Sequence, residues 1–188
     1  FKPFTSDDIA STRTLLHESI PLTGTIVSGT YADSNIKNYS HGMFQSVYDF
    51  PFLSSSSNHI FDITCGYSST SVLSSSSNLQ NDKKIAIYNQ MAQVLAGHDV
   101  SGNIRQFDAD GNLSDGEKHK NVFFLNFSRL LSKDEIKKGT FSMTVMTGAY
   151  DSPEDNGNMA VIADTGADTS FKVNSPAGEY GILKRGET

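Results

Sequence analysis

Two stretches of this chain carry carboxylates at spacings that could do chemistry. In Val161-Ile-Ala-Asp-Thr-Gly-Ala-Asp168, three apolar residues lead into Asp164, Thr165 and Gly166. Two such turns facing each other would let two carboxylates share one proton, one as base and the other as acid. One copy per chain would serve in a homodimer. The second stretch is Asp108-Ala-Asp-Gly-Asn-Leu-Ser-Asp-Gly-Glu117. Its alternating oxygen ligands at Asp108, Asp110 and Asn112 match the start of a calcium loop.

Both readings meet an obstacle in the sequence. The Asp164 turn resembles the active-site turn of retroviral-type aspartic proteases, a fold that places most of its strands after the aspartate. Here 24 residues follow Asp164 (188 − 164), so a local Asp-Thr-Gly hairpin between two strands is the expectation. A helix-loop-helix calcium site wants Gly at its sixth position and a bidentate Glu at its twelfth. This sequence places Leu113 and His119 there, which predicts a solvated hairpin with two Asx-Gly turns.

The remaining reactive residues form no linear motif. His17, His41, His59, His98 and His119 share no metal-ligand spacing, and no Cys-x-x-Cys, Gly-x-Ser-x-Gly or phosphate-binding glycine loop occurs. No metal or cofactor is implied. Cys65 is the single cysteine, which excludes a disulfide within the chain. Its alternation with Ile63 and Tyr67 predicts a small buried apolar residue. The net charge of −6 argues against a nucleic-acid groove. The basic cluster Lys133, Lys137 and Lys138 is interrupted by Asp134 and Glu135 and reads as a solvated helix face. No apolar run approaches the roughly 20 residues that span a bilayer. The chain starts at Phe1, which fits either a trimmed protein or a piece of a longer one.

The elements around these residues are read from periodicity. Thr5 or Ser6 caps a first helix through about Ser19, with Asp7 and Asp8 in its first turn. Thr23 to Tyr31 reads as a strand. Ala32 to Phe50 is polar and aromatic without a clean period, so it is either a helix-containing loop or an interface element. Leu53-Ser-Ser-Ser-Ser-Asn58 recurs as Leu73-Ser-Ser-Ser-Ser-Asn78. These are two flexible loops flanking a strand on which Phe61, Ile63, Cys65 and Tyr67 alternate with Asp62, Thr64 and Gly66. Asn81 to Ala96 is a helix with Ile85, Tyr88, Met91, Ala92 and Leu95 on its apolar stripe and Gly97 as its stop. Asp99 to Asn121 is a polar hairpin or loop.

Asn121 to Gly148 then reads as strand, short helix, strand. Phe123, Leu125 and Phe127 share one face, Ser132 and Glu135 form a capping box, and Gly139 supplies a left-handed stop. Phe141, Met143 and Val145 share a face of the second strand. Met159 to Ala163, Thr169 to Val173 and Tyr180 to Leu183 complete the strands, with a turn at Ser175-Pro-Ala-Gly178.

Phe-Leu-Asn-Phe-Ser-Arg-Leu-Leu-Ser-Lys-Asp-Glu-Ile-Lys-Lys-Gly-Thr-Phe, from Phe124 to Phe141, carries a family resemblance, together with residues 35–51 and 174–183. The chain resembles structural virion proteins of tailed phages, especially T4-like myoviruses of marine cyanobacteria. The resemblance covers the chain from about the first helix to the C-terminal segment. It implies a non-enzymatic component of the tail, baseplate or neck that works by assembling with copies of itself and other virion structural proteins. The implied location is the virion, assembled in the host cytoplasm, with no nucleic-acid or membrane partner.

The expected fold is α+β and β-rich, a mainly antiparallel sheet or sandwich with two or three helices. Residues 1–188 form one structural domain, with residues 1–22 as an N-terminal helical extension. Phe44, Tyr48 and Phe50 are the expected interface residues. A carbohydrate- or receptor-binding module is the alternative that a β-rich, aromatic, Ser/Thr/Asn-rich chain also suits. An aspartic-type hydrolase built on Asp164 is the remote one.

Overall fold

The computed structural model describes residues 35–39, 43–75, 81–127, 136–146 and 159–185. Its largest sheet is antiparallel. β1 (Ile36–Asn38), β2 (Gln45–Tyr48), β3 (His59–Tyr67) and β6 (Asn121–Asn126) lie in the order β1-β2-β3-β6. The pairing of Ile63 with Leu125 and Cys65 with Phe123 sets the β3–β6 register. The helix α1 (Asn81–Leu95) packs on β3. Gly66 makes that approach close: a Cβ there would lie 2.7 Å from the Tyr88 backbone nitrogen and 3.0 Å from the Lys84 carbonyl oxygen. The strand position expected on the polar side is therefore roofed by the helix.

Aromatic rings fill the angle between helix and sheet. Tyr88 meets Phe107 edge-on at 5.4 Å, and Phe107 lies 5.5 Å from Phe124. The Tyr88 hydroxyl donates to the His119 carbonyl at 2.7 Å and accepts the Phe107 N–H at 3.3 Å. It thereby ties α1 to both strands of the hairpin β4 (Phe107–Asp108) and β5 (Lys118–His119). The helix ends as expected. The Gly97 N–H reaches back to the Ala92 carbonyl at 3.0 Å, with Gly97 at φ 75°.

A second antiparallel sheet has the order β11-β8-β7, from β7 (Ser142–Met146), β8 (Met159–Ala163) and β11 (Lys184–Arg185). Phe127 links the two sheets, 5.4 Å from Phe61 and 6.1 Å from Phe141. The hairpin β9 (Lys172–Ser175) and β10 (Gly178–Tyr180) braces the rest. Asn174 donates to the Gly111 carbonyl at 2.8 Å, and Ser175 Oγ donates to the Leu95 carbonyl at 2.5 Å.

The fold is thus β-rich and mainly antiparallel, with one helix among the described residues. Several expectations shift. Residues 35–50 hold two short strands and, where described, no α-helix. The α1 stripe is rotated: Lys84, Ile87, Tyr88 and Ala92 are buried, whereas Leu95 is exposed. Phe123 is exposed, because Phe124 on the opposite face takes the place beneath the helix. The strand expected from Thr169 begins at Lys172, since Thr169 and Ser170 bond back to the Gly166 carbonyl in a turn. Of the strand expected over Tyr180 to Leu183, only Tyr180 is in a strand, at the end of β10, and residues 181–183 are irregular before β11. The first helix, the strand at Thr23 to Tyr31 and the Ser132 to Glu135 capping box lie outside the described residues. The described end of the short helix expected after Ser132, residues 136–138, is not helical but leads into a turn at Gly139, in which the Thr140 N–H donates to the Lys137 carbonyl.

Candidate functional site

Asp164 leaves the end of β8 and is 7% exposed. Its Oδ2 accepts the Gly139 N–H at 2.7 Å and its Oδ1 accepts the Phe141 N–H at 2.9 Å. Its own N–H donates to the Phe141 carbonyl. Both oxygens therefore clamp the turn that feeds β7, where Gly139 sits at φ 80°. The residues after Asp164 form a turn, with the Ala167 N–H bonded to the Asp164 carbonyl. They do not make the expected hairpin between paired strands, because β8 pairs with β7 and β11 and β9 pairs with β10. The carboxylate here is a backbone cap.

The calcium-like loop joins β4 to β5, with Gly111 at φ 76° and Gly116 at φ 84°. The place of a cation is taken by the chain itself. Lys118 Nζ donates to Asp108 Oδ2 at 2.6 Å, to the Asn112 carbonyl at 3.1 Å and to the Asp115 carbonyl at 2.5 Å. Asp108 Oδ1 also accepts the Asp110 N–H at 3.0 Å and the Asn112 N–H at 3.2 Å. A hydrogen bond with the Asp110 side chain, then the one from Lys118, holds the Asp108 carboxyl far below the usual carboxylate range. No group of three or more His, Cys, Asp or Glu side chains among the described residues could hold a metal ion.

A third polar group crosses the main sheet. Ser46 Oγ donates to Asp62 Oδ1 at 2.5 Å, and the same oxygen lies 2.8 Å from His59 Nε2. The Tyr39 hydroxyl is 3.1 Å from Ser46 Oγ. Cross-strand pairing of Ser46 with Asp62 brings these together. The residue types are those of a hydrolytic triad, but the order is not. A triad places imidazole between hydroxyl and carboxylate so that it can take the hydroxyl proton. Here the carboxylate stands between the other two. Sequence reasoning missed this cluster because it depends on strand register.

Sequence reasoning also missed Lys84. It is 1% exposed, and its Nζ lies 3.4 Å from Sγ of Cys65, which is 0% exposed. Burial pushes the Lys84 amine down and the Cys65 thiol up. The signal was present: Lys84 stands one helical turn before Tyr88 and two before Ala92. Cys65 is buried as expected, but against an amine rather than in an apolar pocket.

Of the expected interface residues, Phe44 and Phe50 flank β2 and Tyr48 is its last residue. Phe44 is 37% exposed and lies 4.9 Å from Tyr39. Phe50 is 53% exposed. Tyr48 is half-buried between Phe52, at 6.2 Å, and His59, at 5.4 Å. An open depression lined by Gln106 and residues 117–121 lies elsewhere, and one of its two lysines, Lys118, is already committed to the β4–β5 loop. Among the described residues no helix is long and apolar enough to cross a membrane. No protein-family model, curated protein or solved structure matches the chain.

Proposed function

We propose that this chain is a non-enzymatic structural component of a tailed-phage virion, in its tail, baseplate or neck, that acts by assembling with copies of itself and with other virion proteins. The observation that carries the proposal is the exposure of Phe44 and Phe50 at the two ends of β2, followed by Leu53 at 89% exposed. Three large apolar side chains on one short stretch are what an assembly interface buries, and aromatic anchors dominate such interfaces. The virion-protein resemblance of the surrounding segment supports the same reading. In this reading a helix from Thr5 or Ser6 through about Ser19 and another opened by Ser132 supplement α1, and the N-terminal helix docks on a neighbour.

The test is quantitative mass spectrometry of purified particles carrying wild-type or Phe50→Asp protein. The wild type is expected at a small multiple of three or six copies per particle. The variant is expected to keep its circular dichroism and thermal unfolding while its incorporation is lost. Absence of the wild-type chain from particles, or unchanged incorporation of a folded variant, overturns the proposal.

A carbohydrate- or receptor-binding module is the second reading. The Tyr39–Ser46–Asp62–His59 chain beside the Tyr48 ring favours it, because sugars are held by carboxylate acceptors and aromatic faces. Glycan-array binding that Asp62→Ala abolishes would move it to the front.

A further inference from the structure

Lys84 presents a problem that its packing does not solve. A lysine is rarely fully buried without a strong acceptor, because the ammonium loses its hydration. The only hydrogen-bond partner of Lys84 Nζ among the described residues is the thiol of Cys65, at 3.4 Å. Sulfur is a weak acceptor. Burial therefore favours the neutral amine and the neutral thiol. A neutral amine keeps its lone pair and is a nucleophile. Its separation from sulfur is already that of a near-attack pair, for which roughly 3–3.5 Å is typical. The two residues stand on different elements, 19 positions apart in sequence, and β3 and α1 hold them with the close contact at Gly66.

We infer that Cys65 and Lys84 are a covalent modification site, in which a hydroperoxide converts the contact into a sulfenamide crosslink between β3 and α1. The chemistry balances in two steps. Hydrogen peroxide oxidises the Cys65 thiol by two electrons to the sulfenic acid; its O–O bond breaks and one water leaves. The Lys84 lone pair then attacks Sγ. The S–N bond forms, the S–O bond breaks, and the hydroxide departs as a second water with a proton from the nitrogen. No further oxidant is needed. Two equivalents of a thiol reverse the link, restoring thiol and amine and becoming a disulfide.

Burial decides how this site behaves. A high thiol pKa slows the first step, and the neighbouring amine offsets this by relaying the thiol proton to the departing peroxide oxygen, which leaves as water and returns the amine to its neutral form. Burial also excludes larger oxidants and bulk water. Further oxidation of the sulfenic acid then loses to an amine held in contact, and exclusion of water slows hydrolysis of the S–N bond once formed.

The test treats the whole chain with hydrogen peroxide, digests it under non-reducing conditions and maps the peptides by mass spectrometry. The expected product joins the Cys65 and Lys84 peptides at a mass two hydrogens below their sum, and a thiol reductant abolishes it. The treated protein should also melt about 5 °C higher than untreated protein. In Lys84→Met, which keeps the length and apolar stem of the side chain, the joined peptide and the rise in Tm should both be absent. Recovery of Cys65 as a free thiol or as a sulfinic acid, with the Lys84 peptide unlinked, overturns the inference in the wild type alone.

Discussion

The carboxylate of Asp164 holds the backbone of Gly139 at 2.7 Å, across 25 residues of sequence. With the second bond to Phe141 it sets where β7 begins. Gly139 needs its positive φ to present that N–H, and the neighbouring side chain of Asp168 leaves little room, at 3.3 Å from an added Cβ. Removing the carboxylate leaves two donors unpaired in a buried place, each worth about 1.5–3 kcal/mol when bonded to a charged group. Asp164→Ala is therefore expected to lower stability by about 3–5 kcal/mol in urea unfolding. Asp164→Asn, with one acceptor oxygen, should recover about half of that. A loss below about 0.5 kcal/mol for the alanine variant would mean that the clamp holds nothing.

The acid limb of the stability curve should belong partly to Asp108. Its folded-state pKa lies well below the unfolded one, through its hydrogen bonds with Asp110 and Lys118. For such a carboxylate the stabilisation is fully present above the unfolded value, near 3.9, and is lost as pH falls below it toward the folded value. Asp108→Asn should thus cost stability at neutral pH and flatten the decline below about pH 4. Denaturant midpoints of both proteins across the acid range decide this. Parallel curves would mean that the ion pair with Lys118 does not differ from its unfolded counterpart.

Local periodicity foretold the elements that it governs. The existence of the β3 strand, the α1 boundaries with Gly97 as stop, and the shared face of Met143 and Val145 on β7 with Phe141 just before it all follow from residues close in sequence. What the sequence hid depends on long-range choices. Nothing local says that the helix would cross β3 at Gly66, and that crossing decides that Phe124 is covered and Phe123 is not. It also rotates the helix so that Lys84 is buried in place of Leu95. The Ser46–Asp62–His59 cluster likewise requires the β2–β3 register. The calcium-like loop is the hairpin its sequence predicts, but the place of Lys118 as its internal cation follows only from the pairing of β4 with β5.

Gly66 offers the most direct check of the helix position. Its missing Cβ lets the Tyr88 nitrogen and the Lys84 carbonyl approach to within 3.0 Å of where that atom would stand. Both are backbone atoms of a helix and have no rotamer with which to yield. Gly66→Ala must therefore displace α1, at about 1–3 kcal/mol for an overpacked contact. The hydrogen bond from Tyr88 to His119 should weaken with it, so amide exchange in the β4–β5 hairpin should quicken. An alanine variant as stable as the wild type would place the helix farther from β3.

Replacing Lys84 by methionine should make the protein more stable, contrary to the usual outcome of a buried substitution. The wild type confines an amine that the unfolded chain leaves protonated and hydrated, and burial lowers its pKa. Between the lowered value and about 10.4 the unfolded state binds more protons, so wild-type stability rises with pH through that window. The Cys65 thiol acts in the other direction. Its raised pKa makes stability fall above about 8.5, where the unfolded thiol ionises. Tyr67 and Tyr88, both pushed up by burial, lower stability only from about pH 10 upward, where the unfolded phenols ionise. Below about pH 8.5 the lysine contribution therefore stands alone. Lys84→Met should gain about 1–3 kcal/mol near neutrality, because the wild type must strip a proton and its hydration from the amine on folding, at about 1.4 kcal/mol for each unit by which the pKa is lowered. The gain should widen as pH falls and narrow as pH approaches 8.5. Chemical denaturation of the reduced proteins at several pH values measures both quantities. A destabilised variant, or a gain that does not change with pH, would show that Lys84 stays protonated in the folded protein with its charge compensated.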